Sequence, residues 1–258
     1  MQENNFNYEE YTKTIQQNNE YYFRYKKRQK KPIKISIAFL SLCLIFLLGI
    51  CVFINQKNQE FCTYYFVEID TFATFSQANK SAIELTNKSG AGYVFFDKNY
   101  HVFAGVYLTE ESAKTVSKNI LNDYPNAKIF AISTSKFKNK NQYSKNENLA
   151  LKNTISSIQN LIKSLYQISI SFDKNEENFK TTITKISTLK DTFCLQQSKF
   201  DECFENEKIY FNTNKKLDEI CNALTRLSNC SEQDLKQKIK YELVDIAITS
   251  SMIFNELC

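Results

Sequence analysis

"GAGYVFFDKNYHVFAGVY", residues 90–107, is the stretch on which the fold reading turns. The chain has 258 residues and four glycines, and three of these, Gly90, Gly92 and Gly105, fall here. Two runs of aromatic and β-branched residues flank the polar triplet Asp97-Lys98-Asn99. That pattern predicts a hairpin, with strands over 91–96 and 100–107 and a turn at 97–99. Gly90 and Gly92 let the chain leave a preceding helix and enter the first strand. Gly105 marks a point inside the second strand where a Cβ would crowd a bulge or a ligand.

Working outward, residues 64–71, "YYFVEIDT", predict a strand. Residues 75–88 predict a helix whose buried positions are Ala78, Ala82, Ile83 and Leu85. Thr109, followed by Glu110 and Glu111, opens a second helix that runs to about Asn122, because a hydroxyl caps and acids suit the first turn. Pro125 breaks the chain, and "AKIFAI", 127–132, predicts a fourth strand. The order is β-α-β-β-α-β, an antiparallel sheet with both helices on one face.

The two halves also match each other. Shifted by 35 positions, Tyr65 meets Tyr100, Val67 meets Val102 and Thr74 meets Thr109; Ala78 meets Ala113, Asn87 meets Asn122 and Phe95 meets Phe130. Six identities in one ungapped register, in step with the predicted elements, indicate a repeat. Strand alternation then sorts the faces. Val67, Ile69, Val102 and Ala104, joined by Val94, Phe96 and Ile129, belong under the helices. Phe66, Glu68, Tyr93, Phe95, His101, Phe103 and Phe130 take the other face. Nothing in the domain covers that face, which makes it a binding surface unless the C-terminal helices or a second copy pack there.

Ahead of the sheet, residues 35–54, "ISIAFLSLCLIFLLGICVFI", carry no charge. Twenty helical residues span about 30 Å, the thickness of the bilayer hydrocarbon core. Seven cations, from Arg24 to Lys34, precede the run, and only Lys57 and Glu60 follow it before residue 62. The positive-inside rule puts residues 1–34 in the cytoplasm and 55–258 outside, as a single-pass protein of the cell membrane. A cleaved signal peptide fits poorly, since the leading segment is long and no small-x-small site follows. Net charge is +5 and local to the anchor's flank, which argues against a nucleic-acid partner.

Beyond the sheet, residues 134–148 read as a polar linker and 149–258 as helical. Ile155, Ile158, Leu161, Ile162 and Leu165 recur at helical spacing, as do Phe179, Ile183, Ile186 and Phe193. Leu217, Ile220, Leu224 and Leu227 form a third stripe. Ser231 with Asp234 caps a fourth helix bearing Leu235, Ile239, Leu243 and Ile246. Three or four helices, as a bundle or as hairpins, account for this. Six of the eight cysteines lie outside the membrane run. A hairpin turning near Asn212 sets Cys194 opposite Cys230 and Cys203 opposite Cys221, though both pairs face one seam only if a helix breaks between Cys194 and Cys203 or, as the cap at Ser231 suggests, between Cys221 and Cys230; two disulfides or free thiols both fit.

No catalytic signature is present. His101 is the sole histidine, no CxxC occurs, and the nucleophile-elbow, P-loop and Rossmann patterns are missing. Glu68 and Asp70, two apart on a strand, point to one side, and polar residues on an open face explain them better than a glycosidase pair. No enzyme, cofactor or metal site is expected.

Residues 63–133 resemble the sporulation-related repeat (SPOR) domain. "EIDTF", 68–72, stands where that family ends its first strand in Gln-φ-Gly-Ser-Phe, and "HVFAGVY", 101–107, where it carries Arg-Val-x-φ-Gly-Pro-Phe. "TEESAK", 109–114, fits the family's helix start. Glu68 thus replaces Gln, Thr71 replaces Ser and His101 replaces Arg. The resemblance implies a duplicated βαββαβ fold that binds peptidoglycan glycan strands lacking stem peptides on its open sheet face. It also implies membrane-anchored proteins at division or sporulation septa. RNA-recognition modules share the strand order, but a domain outside the membrane does not suit them. The fold class expected is therefore α+β: a transmembrane helix, a SPOR-like βαββαβ domain and a helical region. The candidate glycan-binding residues are Phe66, Glu68, Thr71, Tyr93, Phe95, His101, Phe103 and Phe130. The expected function is non-catalytic binding of wall glycan from a bilayer anchor. The alternative is a structural, protein-interacting subunit of a membrane complex, without glycan binding.

Overall fold

The computed structural model describes residues 62–134, 143–204 and 211–257. Within them the chain is mixed α+β, with one four-stranded antiparallel sheet and six helices. The segment 35–54, the tail before it and most of the linker lie outside the described residues. No helix among the described residues is long and apolar enough to cross a membrane.

The first half runs β1 (Thr63–Phe72), α1 (Phe75–Asn87), β2 (Tyr93–Asp97), β3 (Asn99–Tyr107), α2 (Glu110–Asn119) and β4 (Lys128–Ser133). The sheet order is β2-β3-β1-β4. The expected element order is present, with α2 ending three residues earlier than the pattern suggested. The repeat reaches into local geometry. Thr74 and Thr109 cap α1 and α2 from extended backbone, with φ/ψ of −126°/145° and −131°/146°. Each hydroxyl accepts from the amide three residues on, of Gln77 at 3.4 Å and Ser112 at 3.2 Å.

One small core lies beneath these helices, made by Ile69, Ala78, Ala82, Leu85 and Val102. Ile83 is not part of it and is 54% exposed, contrary to expectation. Ala78, Ala82 and Leu85 fall at i, i+4 and i+7 and define the stripe; Ile83 sits about 100° round from Ala82. Phe96 is likewise exposed, resting against Tyr100 with ring centroids 4.8 Å apart.

The hairpin turns on Lys98, whose φ is 60°, with Asp97 paired to Asn99. Gly92 has φ +63°, and a Cβ there would land on Thr86 Oγ1 and 2.6 Å from the Ala82 carbonyl oxygen. Both features demand glycine. Gly105 differs from expectation: a Cβ would meet only the Tyr107 ring, at 3.6 Å or more. Gly92→Ala is therefore expected to lower stability by about 2–4 kcal/mol, and Gly105→Ala by less than about 1. Urea melts followed by circular dichroism check the difference.

The second half is α3 (Lys145–Asp173), α4 (Phe179–Phe204), α5 (Phe211–Ser228) and α6 (Glu232–Leu257). Ser144 and Glu147 form a capping box on α3. Ser231 caps α6, accepting from the Asp234 amide at 3.3 Å. The predicted stripes on α3, α5 and α6 are buried; on α4, Ile186 and Phe193 are buried while Phe179 and Ile183 are half-buried.

Of the two alternatives, Cys194, Cys203, Cys221 and Cys230 take the second and carry free thiols. The reason is register. Gln197 of α4 contacts Asp218 of α5, which sets Cys203 opposite Asn212 rather than Cys221. Cys230 lies beyond the end of α5, away from Cys194.

Candidate functional site

The site begins with an irregular ladder. Between β1 and β3, Val67 pairs with Gly105, Glu68 with Phe103 and Asp70 with Val102. Ala104 is thus an extra residue on β3, and Ile69 an extra residue on β1. The second bulge offsets the first, so Thr71 and His101 return to register.

These bulges change which side chains meet. Regular alternation would pair Glu68 with Asp70 on one side. Instead Glu68 and Thr71, three apart, share the side, and Thr71 Oγ1 donates to Glu68 Oε1. Asp70 turns elsewhere: its Oδ1 accepts from the Thr71 amide at 2.8 Å and its Oδ2 from Asn126 Nδ2 at 3.2 Å. The two carboxylates do not form a pair.

Glu68 is fully buried. Lys128 Nζ lies 3.2 Å from its Oε1, reaching over from the directly paired position on β4. His101 Nδ1 lies 3.3 Å from Oε2, without the alignment of a hydrogen bond. A buried carboxylate needs such company, because leaving water unpaired would cost several kcal/mol. Around the imidazole stand Phe130, Phe95 and Phe103, with centroids at 5.1, 6.3 and 6.3 Å. Phe103 in turn stacks on Phe66 at 5.0 Å.

The eight expected residues do gather on one face, but that face is not open. Phe66 and Phe103 are fully buried and belong to the same core as α3–α6. The cover is α6. Its Gln237 Nε2 donates to the Ala91 carbonyl at 3.1 Å, and Lys240 Nζ to the Ser89 carbonyl at 3.0 Å. Tyr241 packs its ring 5.1 Å from Tyr93, whose hydroxyl donates to Asp245 Oδ1 at 2.8 Å. Burial first, and then Asp245, pushes the Tyr93 phenol well above its ordinary range, so it stays a donor. Arg226 of α5 donates to both oxygens of Glu242 on α6, at 2.7 and 2.6 Å, and its guanidinium lies 3.7 Å from Asp245 Oδ2.

What stays accessible is one end of the face, where Phe95, His101 and Phe130 are half-buried beside the exposed Lys128. That end offers aromatic rings, an imidazole and an ammonium over a buried carboxylate. With α6 over the rest, no continuous open surface runs across this face of the sheet. Among the described residues, no group of His, Cys, Asp and Glu is arranged to hold a metal ion.

Sequence reading missed Lys128 and the Arg226–Glu242–Asp245–Tyr93 network. Lys128 becomes visible only through strand register. The cover itself left a signal: from Leu243 to Ser251 every residue but Asp245 is buried, on all sides of α6. A helix without a polar face is a central one.

Compared with protein-family models, curated proteins and solved structures, the chain matches none.

Proposed function

We propose that this chain is a non-catalytic, single-pass membrane protein acting as a structural, protein-interacting subunit of a membrane complex. Residues 35–54 and their basic flank tether it to the bilayer, with the described residues outside the cytoplasm. The observation that carries the proposal is α6 lying on the sheet face where the SPOR resemblance would put glycan. Phe66 and Phe103 share the core of the chain's own helices and Tyr93 bonds Asp245, which supports an interior role for that part of the face. The long helices leave the outer surfaces of α3 and α4 to meet partners, such as division or sporulation proteins.

A second reading keeps the glycan. The half-open end at Phe95, His101 and Phe130 offers aromatic faces to a pyranose ring. Lys128 beside it offers a cation to a lactyl carboxylate.

Co-sedimentation of the full-length chain, purified in detergent, with peptide-stripped sacculi separates the two. The first reading expects no pelleting above a control membrane protein, and migration in native gels of solubilised membranes as an assembly larger than the chain. Pelleting that is lost in His101→Ala and Phe130→Ala overturns it in favour of the glycan.

A further inference from the structure

The α4–α5 hairpin brings together two half-buried cysteines that its sequence spacing does not suggest. Gln197 Nε2 donates to Asp218 Oδ1, and Cys221 Sγ donates to Gln197 Oε1 at 2.9 Å. Cys194 lies three residues before Gln197, and Cys221 three residues after Asp218. In an antiparallel helix pair, those offsets place the two cysteines opposite each other, one turn along the seam. The two thiols are near enough to act on each other electrostatically.

We infer that Cys194 and Cys221 are a redox pair that closes to a disulfide clipping α4 to α5. The inference rests on hairpin register and is independent of what the protein binds. Neither thiol is sealed in the core, since both are half-buried. To close, Cys221 exchanges its hydrogen bond to Gln197 for a bond to Cys194 sulfur.

The oxidant is a small disulfide such as oxidised glutathione. One cysteine thiolate attacks it, releasing one glutathione thiolate and leaving a mixed disulfide. The second cysteine thiolate then displaces the other glutathione thiolate and forms the protein S–S bond. Two electrons pass to the oxidant, and the two thiol protons end on the two released glutathiones. Burial, the neighbouring Cys194 and the carboxylates of Asp218 and Asp201 push the Cys221 thiol up. Closure is therefore slow at neutral pH and quickens as pH rises.

The full-length chain in detergent is equilibrated with oxidised glutathione, alkylated and digested with trypsin without reduction. The expected product is peptide 191–199 joined to peptide 217–226 through one disulfide. The oxidised form is expected to melt on the order of 10 °C above the reduced form, as a cross-link closing a loop of roughly this length should give. Cys194→Ser removes both effects, and Cys203→Ser keeps both. Cys194 joined to any other cysteine overturns the inference, as does recovery of both Cys194 and Cys221 alkylated after oxidation.

Discussion

Phe103→Ala is expected to lower the unfolding free energy by about 3–5 kcal/mol, the range for removing a wholly buried phenylalanine. Its ring is a shared element of two structures. On one side it stacks on Phe66 at 5.0 Å; on the others it meets Phe130 at 5.5 Å and Phe95 at 6.0 Å. The same ring belongs to the core of the helices. Truncation leaves a cavity at the seam between sheet and helices, with few neighbours free to collapse into it. On an uncovered sheet the ring would be half-solvated, and the loss would be far smaller. Denaturation followed by circular dichroism measures this directly, and tyrosine fluorescence serves as a second probe in a chain with no tryptophan. A loss under about 1.5 kcal/mol would mean that α6 does not cover the face.

Arg226→Ala is the second large effect, expected at about 3 kcal/mol. Glu242 is almost fully buried, and the guanidinium holds both of its oxygens. Without that partner a charged carboxylate would remain between α5 and α6, on the same helix as Asp245. The double change Arg226→Met with Glu242→Leu removes both charges and keeps the volume. It is expected to recover most of the loss, because the buried Glu242 charge costs desolvation that its half-exposed partner Arg226 only offsets, so the pair contributes little net stability over a packed apolar pair. Thermal melts of the three proteins decide it. A double variant as unstable as Arg226→Ala would show that the network does more than balance its own desolvation.

Gly92, Thr74 and Thr109 show how much of the molecule was legible in the chain. Caps, turn glycine and alternating strands are short-range features, written in residues a few positions apart. The 35-residue repeat doubled each of those signals, so the βαββαβ order could be read with boundaries off by a few residues. The stripes on α3, α5 and α6 were equally local. The candidate site was legible as a set of residues on one face, and illegible as a surface.

Three features were decided elsewhere. The paired bulges at Ala104 and Ile69 turn Asp70 away and bring Thr71 to Glu68; a bulge belongs to the pairing of two strands and leaves no period in either. The α4–α5 register places Cys194 by Cys221, because side-chain packing along the seam sets the offset, while sequence arithmetic fixes only the sum for an assumed turn. Above all, α6 lies on the sheet. The residues of 64–133 alone determined a sheet with one aromatic face in need of a cover. Only the tertiary structure decided that the cover is the chain's own last helix, since apolar burial is non-directional and a face accepts whichever complementary surface the folded chain can bring to it.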